Sequence, residues 1–181
     1  FRSVFFGEGL VAALKSLGHE VEMQFWPEWR AGSADILLLV RVRQVSGTIE
    51  GDFDRRLMWI ISHPGDVTDE EIANFDQVFA GSRKHANDLS SKGFRSGFLP
   101  QCTNDSIFFP AERELETLKH SFVFVGNWRG GNRNLVGRAI GANLPLRVWG
   151  RGWTRPFHSA SIVADYFPNS ELGDRKSTRL N

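Results

Sequence analysis

Residues 121–133 read SFVFVGNWRGGNR, and this stretch indicates the fold class because it has the pattern of a strand, a glycine-rich turn and a helix. Residues 122–125 are a short run of aromatic and β-branched side chains, which is typical of a buried parallel strand. Gly126 ends that run. The apolar positions that follow have helical spacing, and they are Leu135, Val136, Ala139 and Ile140.

The turn between this strand and this helix is a candidate anion site. Backbone N–H groups at the end of the strand and at the start of the helix are expected to be unpaired, and Arg129 and Arg133 favour phosphate as the anion. The spacing of the glycines is neither G-x-G-x-x-G nor that of a P-loop. An ordinary structural turn of an α/β protein therefore stays open as the alternative.

The rest of the chain repeats this alternation of strands and helices. In the first half, strands are predicted at residues 4–6, 19–25, 36–40, 56–61, 75–80 and 97–99, and helices at 10–17, after Thr68 and after Ser82. In the second half, strands are predicted at 122–125, 146–149 and 162–167, with a helix after Gly131. Continuous apolar strands imply a parallel sheet that is covered on both faces. We therefore expect an α/β fold with two Rossmann-like, doubly wound domains and right-handed crossovers.

The predicted domain boundaries follow from a stretch without a strand pattern. Residues 101–118 contain Pro110 and a charged segment, and they have no clear strand. The first domain is therefore predicted at residues 1–110, the linker at 111–120 and the start of the second domain at 121–173. Roughly 55 residues are too few for a complete domain, so we expect the second one to be truncated.

Both ends of the sequence have features of an incomplete coding sequence. It begins at Phe1, inside a predicted strand, and residues 174–181 (DRKSTRLN) resemble the translation of a sequencing adapter. We expect this tail to be non-native. The tail carries three basic residues and one acidic residue, so its removal changes the net charge from +1 to −1. The argument for a nucleic-acid partner from a basic isoelectric point then disappears.

The composition narrows the class of protein. The chain has 181 residues, 41% of them hydrophobic, which is enough for a core, and Cys102 is the single cysteine. An intramolecular disulfide and a cysteine-based zinc cluster are therefore excluded. No apolar run approaches the roughly 20 residues of a transmembrane helix, and the start lacks a secretory pattern. We expect a cytoplasmic protein, and we leave its oligomeric state and peripheral membrane contact open.

A series of motifs along residues 1–173 points to one family. They are a glycine-rich turn before a helix that ends in LGHEV, then WIISHP, LPQCTNDSIFFP, FVGN, LRVWGRGW and ADYFPNSEL. In this order and spacing they resemble a GT-B glycosyltransferase of group 1, in the branch similar to the spore protein CgeB. The family's later C-terminal motif, with the carboxylate that handles the donor sugar, is absent from this sequence. We therefore expect the fragment itself to have little or no activity.

The resemblance implies an enzyme that transfers a sugar from a nucleotide-diphosphate sugar to an acceptor, with retention and with neither a metal nor another cofactor. The donor is expected in a cleft between two Rossmann-like domains, at the carboxyl ends of the strands. Arginines and helix N–H groups stabilise the leaving diphosphate in this fold, so no metal is needed. The positions that match the donor-binding turns are Gly126, Asn127, Arg129, Arg133, Gly150, Gly152, Tyr166 and Pro168.

His63 is the candidate catalytic residue. It follows a fully apolar strand and precedes Pro64, which disfavours helical geometry at the histidine and places it at the strand's carboxyl end. Its expected role is a hydrogen bond to the transferred sugar or to the acceptor. The first glycine turn, Gly7, Glu8 and Gly9, is the expected acceptor-binding segment, where Glu8 orients a hydroxyl group or only caps the next helix.

Two other functions stay open. The first is a nucleotide-sugar 2-epimerase on the same fold, which would need carboxylates that this sequence does not show. The second is a non-catalytic nucleotide-binding or interaction module. The sequence identifies neither the sugar, nor the nucleobase, nor the acceptor.

Overall fold

The computed structural model of the chain describes residues 2–42, 49–104, 122–128, 134–153 and 162–164, with only the backbone for 2–5 and 162–164. It divides into two compact units, Phe1–Thr103 and Asn104–Asn181. In chain order the described elements are α1 (Arg2–Ser16), β1 (Gly32–Arg41), β2 (Gly51–Ile60), α2 (Asp69–Ile72), β3 (Gln77–Ala80), α3 (Arg83–Ser91), β4 (Ser96–Phe98), β5 (Phe122–Val125), α4 (Asn134–Gly141), β6 (Leu146–Trp149) and β7 (Ile162–Ala164). None of the helices described is long and apolar enough to cross a membrane.

The first unit contains a parallel sheet of four strands in the order β1-β2-β3-β4. The pairing of β1 with β2 runs from Gly32 opposite Gly51 to Arg41 opposite Ile60. β3 pairs only with the last part of β2, at residues 57–60. The aliphatic runs in the sequence therefore predicted the mixed α/β class and the parallel sheet correctly. The four strands β1 to β4 were all predicted from the sequence.

One face of this sheet carries the core of the first unit. Alternate residues of neighbouring strands point to the same face, and α2 and α3 cover that face. The buried apolar residues of this core are Leu39, Met58, Ile60, Ile72, Val78 and Leu89. Arg41 lies two residues after Leu39 on β1, so its side chain points to the same face of the sheet. A charged side chain with 0% exposure therefore lies at the end of this apolar face. On the opposite face, the ring of Trp59 lies 5.4 Å from that of Phe6 in α1.

The predicted N-caps at Thr68 and Ser82 and the glycine after the first helix are confirmed, whereas the first helix begins at Arg2 and not at residue 10. The side chain of Thr68 accepts a hydrogen bond from the N–H of Glu71 at 3.1 Å, and that of Ser82 accepts one from His85. Gly18 follows α1 with a φ of 90°, as expected for a glycine after a helix. Thr68 and Glu71 have the spacing of a capping box, but only half of it is formed, because the carboxylate of Glu71 pairs with Arg41 instead of returning to the N-cap.

The prediction of a strand at residues 4–6 and of a glycine turn at residues 7–9 is wrong. Both segments lie within the continuous helix α1. The helical spacing of Leu10, Leu14 and Leu17 extends back to Phe6, and a helix satisfies its own backbone hydrogen bonds, whereas a strand needs a neighbour. Glycine costs a helix only about 1 kcal/mol, so two glycines do not interrupt this one.

The strand predicted at residues 19–25 is also absent, since these residues have no regular structure. Their sequence alternates polar and apolar residues, but alternation alone supplies no hydrogen-bond partner. The expected neighbouring strand at residues 4–6 is helical. Gln24 instead makes local hydrogen bonds, as its side chain donates to Glu22 and accepts from the N–H of Arg30, each at 2.9 Å.

The second unit contains a parallel sheet in the order β5-β6-β7. The strands predicted at 122–125 and 146–149 are confirmed with the same bounds, and the third is present at Ile162–Ala164. α4 packs on one face of this sheet, where the buried residues are Val136, Leu146, Val148 and Trp153. The predicted linker, residues 111–120, lies outside the described residues.

Candidate functional site

Two segments at the carboxyl ends of parallel strands contain predicted site residues. The first, called here the His63 turn, comprises residues 61–66 after β2. The second, called the paired loops, comprises residues 126–128 after β5 and 150–153 after β6. Ligands of open α/β sheets bind at this edge, so both segments stand where the sequence predicted a site.

The His63 turn changes the direction of the chain directly after β2. The N–H of Ile61 still bonds to the carbonyl of Arg41 at 3.1 Å, which continues the ladder by one residue. His63 then has φ 48° and ψ 54°, in the left-handed region, and Pro64–Asp66 form one turn of 3-10 helix. This conformation costs a non-glycine residue about 1–2 kcal/mol, and residues held in it cluster at functional sites.

The contacts of His63 assign its tautomer. Its Nδ1 lies 3.0 Å from the carbonyl oxygen of Val42 and 2.6 Å from the Oγ of Ser62. A carbonyl oxygen can only accept a hydrogen bond, so the contact with Val42 favours the tautomer in which Nδ1 carries the proton, with the Ser62 hydroxyl as a second acceptor. In the neutral ring, Nε2 is then the nitrogen with a lone pair. The side chain of His63 is exposed, so Nε2 is accessible to a hydroxyl group of a ligand.

A buried ion pair lies beside this turn. The Nε of Arg41 donates to Oε1 of Glu71 at 2.6 Å and its Nη2 donates to Oε2 at 3.2 Å, which is the bidentate geometry of a strong pair. The same Nη2 lies 3.3 Å from the carbonyl oxygen of Asp66, and Nη1 is buried without a hydrogen-bond partner. Arg41 therefore connects the end of β1 to both the His63 turn and α2.

Sequence reasoning missed Arg41, and it assigned Glu71 only to the helix cap at Thr68 and not to an ion pair. The predicted strand ended at residue 40, so Arg41 was outside it. The sequence did contain an indication of its burial, because Arg41 follows an almost uninterrupted aliphatic run and falls on the same face of the strand as Leu39. A charged residue at such a position is expected to be buried and therefore to need a partner.

Two further side chains fasten the segment after β4 to the end of β2. The Nε1 of Trp59 donates to the carbonyl of Leu99 at 2.9 Å, and the side-chain amide of Gln101 donates to the carbonyl of Ile61. Leu99 and Gln101 belong to the motif LPQC that contributed to the family resemblance. The structure thus brings two parts of that resemblance together at one edge of the sheet.

The paired loops of the second unit are joined by hydrogen bonds between backbone groups and by others in which a side chain takes part. Gly126 donates its N–H to Trp149 at 2.8 Å, and Trp128 donates its N–H to Arg151 at 2.8 Å. The side-chain oxygen of Asn127 accepts from the N–H of Arg151 at 2.9 Å. The buried Nε1 of Trp153 donates to the carbonyl of Gly126 at 2.6 Å.

Glycine is required at two positions of these loops. Gly150 has a φ of 147°, and a Cβ there would collide with the carbonyl of Gly126 and lie 3.0 Å from the N of Asn127. Gly152 has a φ of 83°, and a Cβ there would lie 3.3 Å from Trp128. The structure therefore brings four of the predicted donor-binding residues together, namely Gly126, Asn127, Gly150 and Gly152.

The expectation of unpaired N–H groups in this turn is wrong for two residues. The N–H groups of Gly126 and Trp128 already donate within the paired loops, so neither is available to an anion. Asn127 also uses its side chain to support the neighbouring loop. The remaining predicted donor-binding residues lie outside the described residues, and they are Arg129, Arg133, Tyr166 and Pro168.

The predicted acceptor segment does not have the geometry on which its prediction depended. Gly7, Glu8 and Gly9 lie within α1, so they form no turn after a strand. Glu8 is exposed, and a Cβ on Gly7 would lie 2.8 Å from the Sδ of Met23, which shows that Gly7 allows a close contact. The described part of the chain contains no cluster of three or more His, Cys, Asp or Glu side chains that could hold a metal ion.

The acidic first turn of α2 adjoins the buried pair. A backbone hydrogen bond at Glu70, and then the hydroxyl of Thr68, favour the ionised carboxylate and hold the pKa of Glu70 below its ordinary value. Thr68 thus interacts with Glu70 as well as with the N–H of Glu71. Negative charge at this end also suits the helix dipole.

Comparisons of the chain with protein-family models, with curated proteins and with solved structures gave no match.

Proposed function

We propose that this chain is part of a GT-B glycosyltransferase that uses a nucleotide-diphosphate sugar as donor. The observation that carries the proposal is the clustering of Gly126, Asn127, Gly150 and Gly152 at the carboxyl end of a parallel sheet. The family resemblance assigns these positions to the donor. A site made of tightly packed glycine loops allows a ligand to approach the backbone closely.

The proposed reaction breaks the bond between the anomeric carbon of the sugar and the diphosphate oxygen. The bonding electrons leave with the nucleoside diphosphate, a new bond forms to the acceptor oxygen, with retention as the resemblance implies, and the proton of the acceptor hydroxyl passes to the departing diphosphate. His63 takes part through Nε2, which accepts a hydrogen bond from a sugar hydroxyl of the donor or the acceptor. Its left-handed backbone and its assigned tautomer support this role.

In this proposal, Arg129 and Arg133 bind the donor diphosphate. The N–H groups of Gly126 and Trp128 are engaged elsewhere, so the charge of the leaving group depends on these arginines and on the start of the helix that follows. Removal of a charge-assisted contact typically costs about 1.5–3 kcal/mol, which is roughly 10- to 150-fold in affinity.

Donor binding by arginine variants tests the proposal. Calorimetry on the full-length product of the parent gene, with UDP-glucose and GDP-mannose as probes, should show binding of one of them. Arg129→Ala and Arg133→Ala should each weaken that binding by roughly 10- to 150-fold. The melting temperature should stay nearly unchanged, because arginines in a turn, as the sequence predicts for these two, contribute little to folding.

Arg95 provides the matched control. It is exposed and directly precedes β4, at the amino end of that strand and therefore at the opposite edge of the sheet from the His63 turn. Arg95→Ala should leave both donor affinity and melting temperature unchanged. Parent-like affinity in both Arg129→Ala and Arg133→Ala would show that the diphosphate binds elsewhere.

A further inference from the structure

The ion pair of Arg41 and Glu71 is not explained by folding stability alone. Arg41 has 0% exposure, and its Nη1 is buried without a hydrogen-bond partner. Burial of a charge is costly, and an apolar residue of similar volume is often as stabilising as a buried ion pair. The surrounding face of the sheet is apolar, with Leu39 and Ile60 as neighbours, so an apolar residue would suit the position.

The pair does fix geometry, because Arg41 and Val42 together hold several points of the next loop. The carbonyl of Arg41 accepts from Ile61 at 3.1 Å, and its Nη2 donates to the carbonyl of Asp66. The carbonyl of Val42 accepts from Nδ1 of His63 at 3.0 Å. These contacts connect the end of β1 to the first, third and last residues of the His63 turn.

We propose that Arg41 is a positioning residue for His63. By holding the His63 turn against the end of β1, with Glu71 on α2 as the second anchor, it keeps the imidazole in register with the carbonyl of Val42. That contact fixes the proton on Nδ1 and leaves the lone pair on Nε2. The inference deepens the proposed function, since it explains how His63 presents an acceptor nitrogen to a sugar hydroxyl.

The tautomer of His63 gives a direct test that needs no ligand. In protein with ¹⁵N-labelled histidine, at a pH where the ring is neutral, the side-chain nitrogen shifts of His63 should report the Nδ1–H form. The His63→Asn variant assigns the signals. In Arg41→Met, the Nδ1–H population of His63 should fall at least about twofold, because the loop loses its attachment while the apolar stem of the side chain remains.

Two variants separate positioning from stability. Arg41→Lys keeps the charge but not the planar fork that reaches both Glu71 and Asp66, so it should give an intermediate tautomer population. Lys92→Met removes the exposed pair of Lys92 with Asp69, which also anchors α2. This control should leave the tautomer of His63 unchanged, even if it lowers the melting temperature.

The results have distinct meanings for the two proposals. An unchanged Nδ1–H tautomer in folded Arg41→Met would overturn the positioning role, whatever the donor measurements show. Loss of folding in both Arg41 variants would make Arg41 a residue of stability alone and would also overturn it. Absence of nucleotide-sugar binding, with a tautomer that responds to Arg41 as expected, would contradict the proposed transferase instead.

Discussion

The His63 turn and the paired loops occupy equivalent places, since each follows a strand at the carboxyl edge of a parallel sheet. They are held in different ways. Side chains hold the His63 turn, through the pair of Arg41 with Glu71 and the amide of Gln101. In the paired loops, backbone groups of the two segments bond directly to each other, with side-chain bonds from Asn127 and Trp153 in addition, and glycine permits the close backbone contact at Gly150.

The difference predicts how each segment responds to substitution. A loop held by backbone groups tolerates no new atom at its contact, because both partners are fixed by their strands. A loop held by side chains loses a definable interaction when one partner is removed, and part of the loss can be recovered by changing the other partner. The following predictions test this contrast from the largest expected effect to the smallest.

The largest effect is expected for Gly150→Ala. The new Cβ would collide with the carbonyl of Gly126, and a φ of 147° is strained for alanine whatever the space. We expect a loss of about 3 kcal/mol or more in the free energy of unfolding of the second unit. Urea unfolding followed by tryptophan fluorescence measures it.

Gly141→Ala is the control for that prediction. Gly141 is the last residue of α4, and nothing lies within 4 Å of a Cβ placed on it. Alanine there should be neutral or should stabilise by up to about 1 kcal/mol, because it favours the helix. Equal stability of the two variants would contradict the tight backbone contact of the paired loops.

The next effect is expected for Glu71→Ala, which leaves the guanidinium of Arg41 buried without its partner. The side chain of Glu71 is 23% exposed, so the cost should lie below the full range for buried pairs, at about 2–3 kcal/mol in the free energy of unfolding of the first unit. Urea unfolding monitored by circular dichroism checks this value.

Asp88→Ala serves as the comparison for Glu71→Ala. It removes the exposed helical pair with Lys84, whose side chains are 53% and 86% exposed. Such a pair is worth only about 0.3–0.5 kcal/mol. If both variants lose the same small amount, the pair of Arg41 with Glu71 does not hold its loop, and the contrast between the two segments fails.

The smallest effect is expected in the dependence of stability on pH, through the carboxylate of Glu70. Because the pKa of Glu70 is lowered in the folded state, its carboxylate contributes stability that is present above the ordinary glutamate value and is lost as the pH falls through the lowered one. Glu70→Gln should therefore lose less stability than the parent between about pH 5 and pH 3. Melting temperatures across that interval measure it.

The two proteins should differ only slightly at pH 7, because the carboxylate of Glu70 is fully exposed. Parallel melting curves down to pH 3 would show that the hydrogen bonds to Glu70 are not maintained in solution. The local cap would then be independent of the contacts that hold the His63 turn.

The sequence predicted those parts of the fold that depend on nearby residues. Apolar runs predicted β1, β2 and β6, and the hydroxyl groups of Thr68 and Ser82 predicted the starts of α2 and α3. It failed at residues 4–6 and 19–25, where the patterns allowed a strand but no strand pairs with them in the described part of the chain. Strand formation depends on a distant neighbour, which local periodicity does not specify.

The candidate site shows the same division. Glycines at strand ends, such as Gly126 and Gly150, were predictable because tight turns require them. That Arg41 reaches Glu71 was not, since the two residues are 30 positions apart and only the packing of α2 on the sheet joins them. Likewise, the engagement of the N–H of Gly126 by Trp149 depends on how β5 and β6 are aligned.

The unequal strand lengths of the first sheet have a consequence for motion. β1 and β2 pair along their full length, but β3 meets β2 only at residues 57–60. The first half of the β1–β2 pair has only these two strands among the described residues, and Ile36 within it is 57% exposed. Two strands alone are marginally stable in water. We therefore expect that half to open locally at a lower free energy than the end that carries Arg41 and leads to His63, where β3 also pairs with β2.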